Sequence, residues 1–220
     1  MYRIIEGKVY GVLTDYDVAS WTKSLAGDHT KALQQTIGTL PYMAVGLLRG
    51  TDPLHLYRHD MESFFYVMVI LATRYEIQAP RKGEAGGVRV VRGELPVQQW
   101  FDESSCEKLA CIKEDFLLGH HLFIPSPTFE DFRGWLLELQ ISFNHGLLCA
   151  RQRKLKAVMA SRGGGAPAPF DEETLGGHVN YSALTDPARH LKGKLKGLVI
   201  RYRSQPPPLP TPTGAAQAGL

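Results

Sequence analysis

Asp15 is the carboxylate whose position best suits metal chemistry. It follows the apolar run of residues 9–13 and opens the sequence DYD. A carboxylate just past a buried strand end can hold a hard cation such as magnesium, which prefers oxygen ligands, and Tyr16 can anchor the turn in the core. The same spacing fits an ordinary β-turn aspartate, because Asp is a favoured turn residue. Spacing alone leaves both interpretations open.

His59 and Asp60 suggest a second kind of metal chemistry. This adjacent pair occurs in HD-type metal phosphohydrolases, which need further His and Asp ligands around it. His29 and the neighbours His120 and His121 are available. Adjacent residues on a helix point in different directions, which disfavours His120 and His121 as joint ligands. The phosphohydrolase therefore stays an alternative of lower rank.

Three motifs stand in the order that protein kinases show. VYGVLTDYDVAS (residues 9–20) resembles the strand and metal-binding turn, with the D-[FWY]-D form of the turn. GTLPYMAVGLL (residues 38–48) is similar to the end of an activation segment, and HLYRHDMESFFYVM (residues 55–68) to the start of the central helix. Together they resemble the fungal-type protein kinase family over residues 1–150, with a weak extension at residues 170–179.

The resemblance implies the later part of a kinase C-terminal lobe. The parent reaction would be ATP-dependent phosphoryl transfer to protein serine or threonine. Asp15 would be the Mg²⁺ ligand next to ATP, with Tyr16 supporting the turn. A protein substrate or partner is implied as well.

The resemblance also assigns positions on the substrate side. Gly38, Thr39 and Tyr42 would belong to the activation segment, where the peptide substrate is read. Asp60 would be a buried, architectural aspartate at the start of the central helix, accepting hydrogen bonds from the catalytic-loop backbone. Gly46 departs from the family pattern, because it stands where an A-x-E sequence has its glutamate.

That departure removes an ion pair with a buried arginine, for which Arg133 is a candidate. A buried arginine left without its partner would cost a few kcal/mol.

The remaining catalytic parts are not recognisable in the chain. Phosphoryl transfer rests on positioning and electrostatic stabilisation, which require a Gly-rich loop, a strand lysine and a catalytic-loop Asp and Asn. In the family, MYR directly follows that Asn, so Met1 is expected to be an internal methionine of a longer kinase. We expect the chain to be inactive alone. The alternative function is a non-catalytic, pseudokinase-like interaction module.

The predicted fold is mainly α with a short N-terminal β-hairpin. Strands are predicted at residues 2–5 and 9–13, and residues 60–76 form a central helix with Asp60 as its N-cap. Residues 64–72 are apolar all round, which indicates a buried helix and, if one side is uncovered, self-association. Other segments are predicted as irregular (20–58), loop (77–96) and helix (97–101, 106–118, 128–160).

Composition predicts two regions. Residues 1–160 form the partial lobe, and residues 161–220 form a Gly/Pro-rich linker followed by a basic, Pro-rich and largely disordered tail. Within the tail, the basic run at 189–203 can bind phosphates or anionic lipid, and the prolines at 206–210 suit WW or SH3 partners.

Composition, net charge and the length of apolar runs limit which partners and which cellular compartment we expect. Apolar residues make up 44% of the 220-residue chain, and its net charge of +3 disfavours nucleic acid as a principal partner. No signal peptide is visible, and the longest apolar run is far shorter than the roughly 20 residues that span a bilayer. The three cysteines show no CxxC spacing. We therefore expect a cytoplasmic or nuclear protein without a transmembrane segment.

Overall fold

The computed structural model describes residues 2–5, 8–11, 39–50, 55–78, 87–91, 96–160 and 169–191. The strands are β1 (Tyr2–Ile5), β2 (Lys8–Gly11), β3 (Tyr75–Gln78) and β4 (Gly87–Val90). The helices are α1 (Val45–Arg49), α2 (Tyr57–Arg74), α3 (Gln99–Asp102), α4 (Cys106–Leu117), α5 (Arg133–Ala160) and α6 (Tyr181–Ala188). Short 3-10 helices cover Leu40–Tyr42, Pro127–Phe132 and Arg189–Leu191. The described part of the chain is therefore mainly helical, as predicted.

Two antiparallel hairpins provide the strands. In the first, Tyr2 of β1 pairs with Gly11 of β2, which confirms the predicted N-terminal hairpin. In the second, Tyr75 of β3 pairs with Val90 of β4, so the loop prediction for residues 77–96 was wrong at both of these strands. All four residues of β4 are exposed. Apolar and polar residues alternate here only over Val88–Val90, a stretch shorter than the run of about four to eight residues by which alternation reveals a strand.

Helix α2 begins three residues earlier than predicted. Its N-cap is Leu56, and the backbone N–H of Leu56 donates to Nδ1 of His59 at 3.0 Å. The His59 side chain thus accepts a hydrogen bond at the N-terminus of α2, where Asp60 was predicted to be the N-cap. The helix ends at Arg74, where the backbone turns directly into β3.

An aromatic cluster joins four helices. Phe65 of α2 stacks on Phe116 of α4 and Phe143 of α5, with ring centroids 5.9 and 5.4 Å apart. Trp100 of α3 meets Phe116 and Tyr66 edge-on at 5.1 and 5.0 Å. Such aromatic pairs add stabilisation beyond the area they bury. The predicted burial of the central helix is thereby confirmed for its inner face.

The later helices follow their predicted positions closely. Helix α4 begins at the N-cap Ser105, whose hydroxyl accepts a hydrogen bond from the Lys108 N–H at 3.4 Å. The predicted helix at residues 128–160 divides into a 3-10 turn and α5. In the described ranges, no helix combines the length and the apolar content needed to cross a membrane.

Residues 169–191 pack on α5, although the sequence placed them in a largely disordered tail. The indole N–H of Trp135 donates to the Leu184 carbonyl of α6 at 2.7 Å, and Leu175 and Val179 are buried. Local composition at residues 161–168 suggested a linker, but the apolar side chains beyond it find a surface on α5. The boundary between lobe and tail stays a prediction.

Candidate functional site

Residues 39–50 form an ordered unit, which we call the docking segment after the peptide-reading role that the family resemblance implies for it. The Tyr42 N–H donates to the Thr39 carbonyl at 2.9 Å, closing a 3-10 turn. Helix α1 follows and ends at Gly50, whose φ of 61° lies in the left-handed region that glycine adopts without strain. The prediction of irregular chain through residues 20–58 was therefore wrong for this stretch.

Lys113 of α4 holds the first half of the docking segment. Its ammonium donates to the carbonyls of Met43 at 2.6 Å and Leu40 at 3.1 Å. It also lies 4.1 Å from the ring centroid of Tyr66 and 5.6 Å from that of Trp100, where the faces of both rings attract a cation. The side chain is fully buried. One lysine thereby joins the docking segment to the aromatic core.

Glu62 of α2 holds the second half. Its Oε1 accepts hydrogen bonds from the backbone N–H of Val45 at 2.7 Å and from the Tyr66 hydroxyl at 2.6 Å. Val45 is the first residue of α1, so Glu62 satisfies a donor that a helix leaves without an internal partner. We refer to Lys113 and Glu62 together as the buried clamp.

Burial sets the electrostatics of the clamp. It lowers the pKa of Lys113 to about 7, against the attraction of Glu62, which opposes the shift. Burial also raises the pKa of Glu62, opposed by the hydrogen bonds from Tyr66 and Val45. For Tyr66, burial and the neighbouring Glu62 raise the pKa well above its ordinary value. Each charge is costly alone in this environment, so each depends on the other.

A second set of ion pairs anchors the end of the docking segment. Glu114 accepts from Arg49 of α1 at 2.7 Å and from Arg151 of α5 at 2.6 Å. Burial acts to raise the pKa of Glu114, but the hydrogen bonds and positive charges of Arg49 and Arg151 have the larger combined effect and lower it. This arrangement supplies an ionic anchor where Gly46 provides none. Arg133, the predicted partner of the missing glutamate, instead pairs with Glu130 at 2.7 Å.

A cleft of about 670 Å³ lies beside the docking segment. Gly46 and Arg49 line it from α1, and Arg58 from α2, where Arg58 pairs with Glu172 at 3.0 Å. Arg151 and Glu114 add a second ion pair to the lining. The rest is largely apolar, with side chains of Val45, Leu56, Leu147 and Leu175.

Sequence reasoning missed both residues of the clamp. A signal was available for Lys113, because it stands in the middle of the apolar face of α4. The residues on either side of it at helical spacing are all buried, namely Leu109, Ala110, Phe116 and Leu117. A lysine at such a position must have partners inside the protein. Glu62 gave the same kind of signal, because it is a charged residue within the largely apolar helix α2.

The predicted substrate-side residues lie at the start of the docking segment. Thr39 is exposed and Tyr42 is half-buried, edge-on to Phe101 with ring centroids 6.4 Å apart. The predicted metal ligand Asp15, the neighbouring Tyr16 and the activation-segment residue Gly38 lie outside the described residues. Their roles stay predictions.

Asp60 is not buried, contrary to expectation. Its side chain is 73% exposed and accepts from Nε2 of His55 at 2.8 Å, which raises the pKa of His55. The hydrogen bonds predicted between Asp60 and a catalytic-loop backbone stay a prediction. His59 accepts a hydrogen bond at the N-terminus of α2. Among the described residues there is no group of three His, Cys, Asp or Glu side chains that could bind a metal.

Comparison with known proteins identifies one part of the chain. Residues 4–72 match the family model described as fungal protein kinase. The matched stretch includes Asp15, the docking segment and most of α2. Searches among curated proteins and among solved structures found no match.

Proposed function

We propose, from the match of residues 4–72 to the fungal protein kinase model, that the chain carries the substrate-docking side of a protein kinase domain. The parent reaction is ATP-dependent phosphoryl transfer to protein serine or threonine. The observation that carries the proposal is the buried clamp. It holds the backbone of the segment in which the family reads its peptide.

A rigid docking segment has a chemical purpose. Phosphoryl transfer depends on holding the hydroxyl of the substrate in line with the phosphate, and misplacement by about 1 Å can cost about a hundredfold in rate. Two carbonyls bound to Lys113 and one N–H bound to Glu62 fix three backbone points of residues 39–50. Thr39 and Tyr42 would then present a preorganised surface to the peptide.

The donor chemistry at residues 15–17 fits a magnesium ion. Asp15 and Asp17 offer carboxylate oxygens, the ligand type that Mg²⁺ prefers. When bound there, the ion would neutralise charge on the phosphates of ATP. We assign Asp15 the role of ligand and Tyr16 that of support.

We further propose that the chain alone does not catalyse the transfer. No sequence in it resembles the Gly-rich loop, the phosphate-binding lysine or the catalytic-loop Asp and Asn. Purified protein given ATP, Mg²⁺ and a mixture of Ser/Thr peptides should show the same turnover as its Asp15→Ala variant. Phosphorylation that disappears in Asp15→Ala would contradict this proposal.

A non-catalytic interaction module is the second candidate. It is favoured by one observation, namely that side chains of the chain itself, Lys113 and Glu62, hold the backbone of the docking segment. In this role the peptide mixture should bind equally well with and without ATP and Mg²⁺, and equally well to Asp15→Ala, in fluorescence anisotropy. Binding that requires both ATP and Asp15 would exclude the module and favour the catalytic role.

A further inference from the structure

The outward face of α5 carries an apolar stripe. Four apolar side chains of this face are exposed, namely Ile141 (52%), Leu148 (42%), Leu155 (66%) and Met159 (73%). At 3.6 residues per turn they fall within about 40° around the helix axis and extend over about 27 Å, with the polar residues His145 and Gln152 between them on the same side. The buried residues of the helix lie on its opposite side, namely Leu136, Leu139, Phe143 and Ala150. The stripe therefore points away from the core.

Positive charge accompanies this stripe. Residues 139–160 contain four basic residues and no Asp or Glu. Arg151, which also pairs with Glu114, borders the stripe on one side of the helix, and Lys156 borders it on the other. Arg153 lies over the ring of Phe170, 5.2 Å from its centroid. The surplus charge of this part of the helix is positive.

We propose that this face of α5 docks on an anionic lipid surface. An apolar stripe bordered by basic residues is the pattern of helices that lie in the membrane interface. Anionic headgroups supply the complementary charge, and they attract Lys and Arg within a Debye length of the surface. The helix would lie on the membrane and not cross it.

The geometry favours a flat surface over two other occupants. A groove on a protein encloses a helix from several sides, but the core covers the inner side of α5 as far as Ala150. The same face of a second copy has no Asp or Glu within residues 139–160 and so offers no complementary charge to Arg151 and Lys156. A planar anionic surface meets neither obstacle.

Sedimentation of the full chain with lipid vesicles tests the proposal. We expect binding to phosphatidylcholine vesicles that contain roughly 30 mol% phosphatidylserine and much weaker binding to pure phosphatidylcholine. The double variant Leu155→Gln/Met159→Gln should weaken binding about tenfold or more, because it removes the apolar contacts. Leu122→Gln, which changes an equally exposed leucine outside the stripe, is the matched control and should bind as the wild type does.

A charge variant separates the two contributions. Lys156→Gln should weaken binding to anionic vesicles and reduce its dependence on salt. All of these positions are exposed, so circular dichroism and the melting temperature should stay unchanged. Wild-type binding by Leu155→Gln/Met159→Gln would overturn the proposal and assign membrane affinity to another basic segment. Failure of the wild type to bind anionic vesicles at low salt would also overturn it and leave an acidic protein as the partner.

Discussion

Single residues decide how the docking segment is held. The ammonium of Lys113 has two carbonyl acceptors and two aromatic faces, and Glu62 has two donors. Lys113 and Glu62 attract each other across the buried interior, so removing one of them also removes the attraction that offsets the burial of the other. The clamp should therefore behave as a unit.

Lys113→Met should destabilise the protein by about 3 kcal/mol and change its pH dependence. The folded pKa of Lys113, about 7, lies below the ordinary 10.5, so unfolding takes up a proton between these values. Stability from this group therefore rises with pH across that window. Urea unfolding at pH 6 to 9 should show a gap between wild type and variant that widens with pH. Equal effects of Lys113→Met and Lys108→Met, an exposed lysine of the same helix, would contradict this role.

Glu114 should couple the docking segment to α5. In a double-mutant cycle, Arg49→Gln and Glu114→Gln should show a coupling free energy of about 1 kcal/mol, since both side chains are partly exposed to solvent. The folded pKa of Glu114 lies below its ordinary 4.5, so the coupling is present above pH 4.5 and is lost as the pH falls through the folded pKa. Strictly additive single-variant effects at pH 7 and low salt would exclude the coupling.

At the scale of elements, α5 organises its surroundings on several sides. It contributes Phe143 to the aromatic core, Arg151 to the ionic anchor and Trp135 to the contact with α6. Close approach of residues 169–191 is made possible by Gly146. A Cβ added there would lie 2.7 Å from Cβ of Leu175, which is too near for any real contact.

Gly146→Ala should therefore destabilise the protein by about 1–3 kcal/mol, because Leu175 and the backbone around it must move. Gly134→Ala in the same helix is the matched control, since nothing lies within 4 Å of its added Cβ. That variant should be neutral or more stable by up to about 1 kcal/mol through helix propensity. Thermal unfolding of both variants makes the comparison, and a Gly146→Ala protein as stable as Gly134→Ala would show that the segment does not pack here.

At the scale of the whole molecule, α2 has an outer apolar face as well as a buried one. Tyr57, Phe64 and Leu71 are exposed and stand seven residues apart, so they share one side of the helix. A contiguous exposed apolar face marks an interaction surface or an aggregation hazard. The structure agrees here with the expectation that one side of the helix is uncovered, and self-association stays a prediction.

Sedimentation equilibrium at micromolar concentrations should show self-association of the wild type. Phe64→Gln/Leu71→Gln should shift the protein towards monomer, because burial of these side chains is the proposed driving force. Val88→Gln/Val90→Gln removes two valines of β4 that are more exposed than Phe64 and Leu71 and should leave the association unchanged. A wild type that is monomeric at every concentration would contradict the prediction.

The amino-acid sequence by itself determined the match of residues 4–72 to the fungal protein kinase model, the N-terminal hairpin and the positions of α4 and α5 to within a few residues. These properties follow from short motifs and from local spacing of apolar residues. Only the tertiary structure decided the buried clamp, in which Lys113 binds carbonyls 70 and 73 residues earlier in the chain. It also decided that His59, and not Asp60, serves the start of α2. The Lys113 contacts depend on where distant elements meet, which local spacing does not encode. The His59 contact joins residues three apart and was decided by where the helix begins.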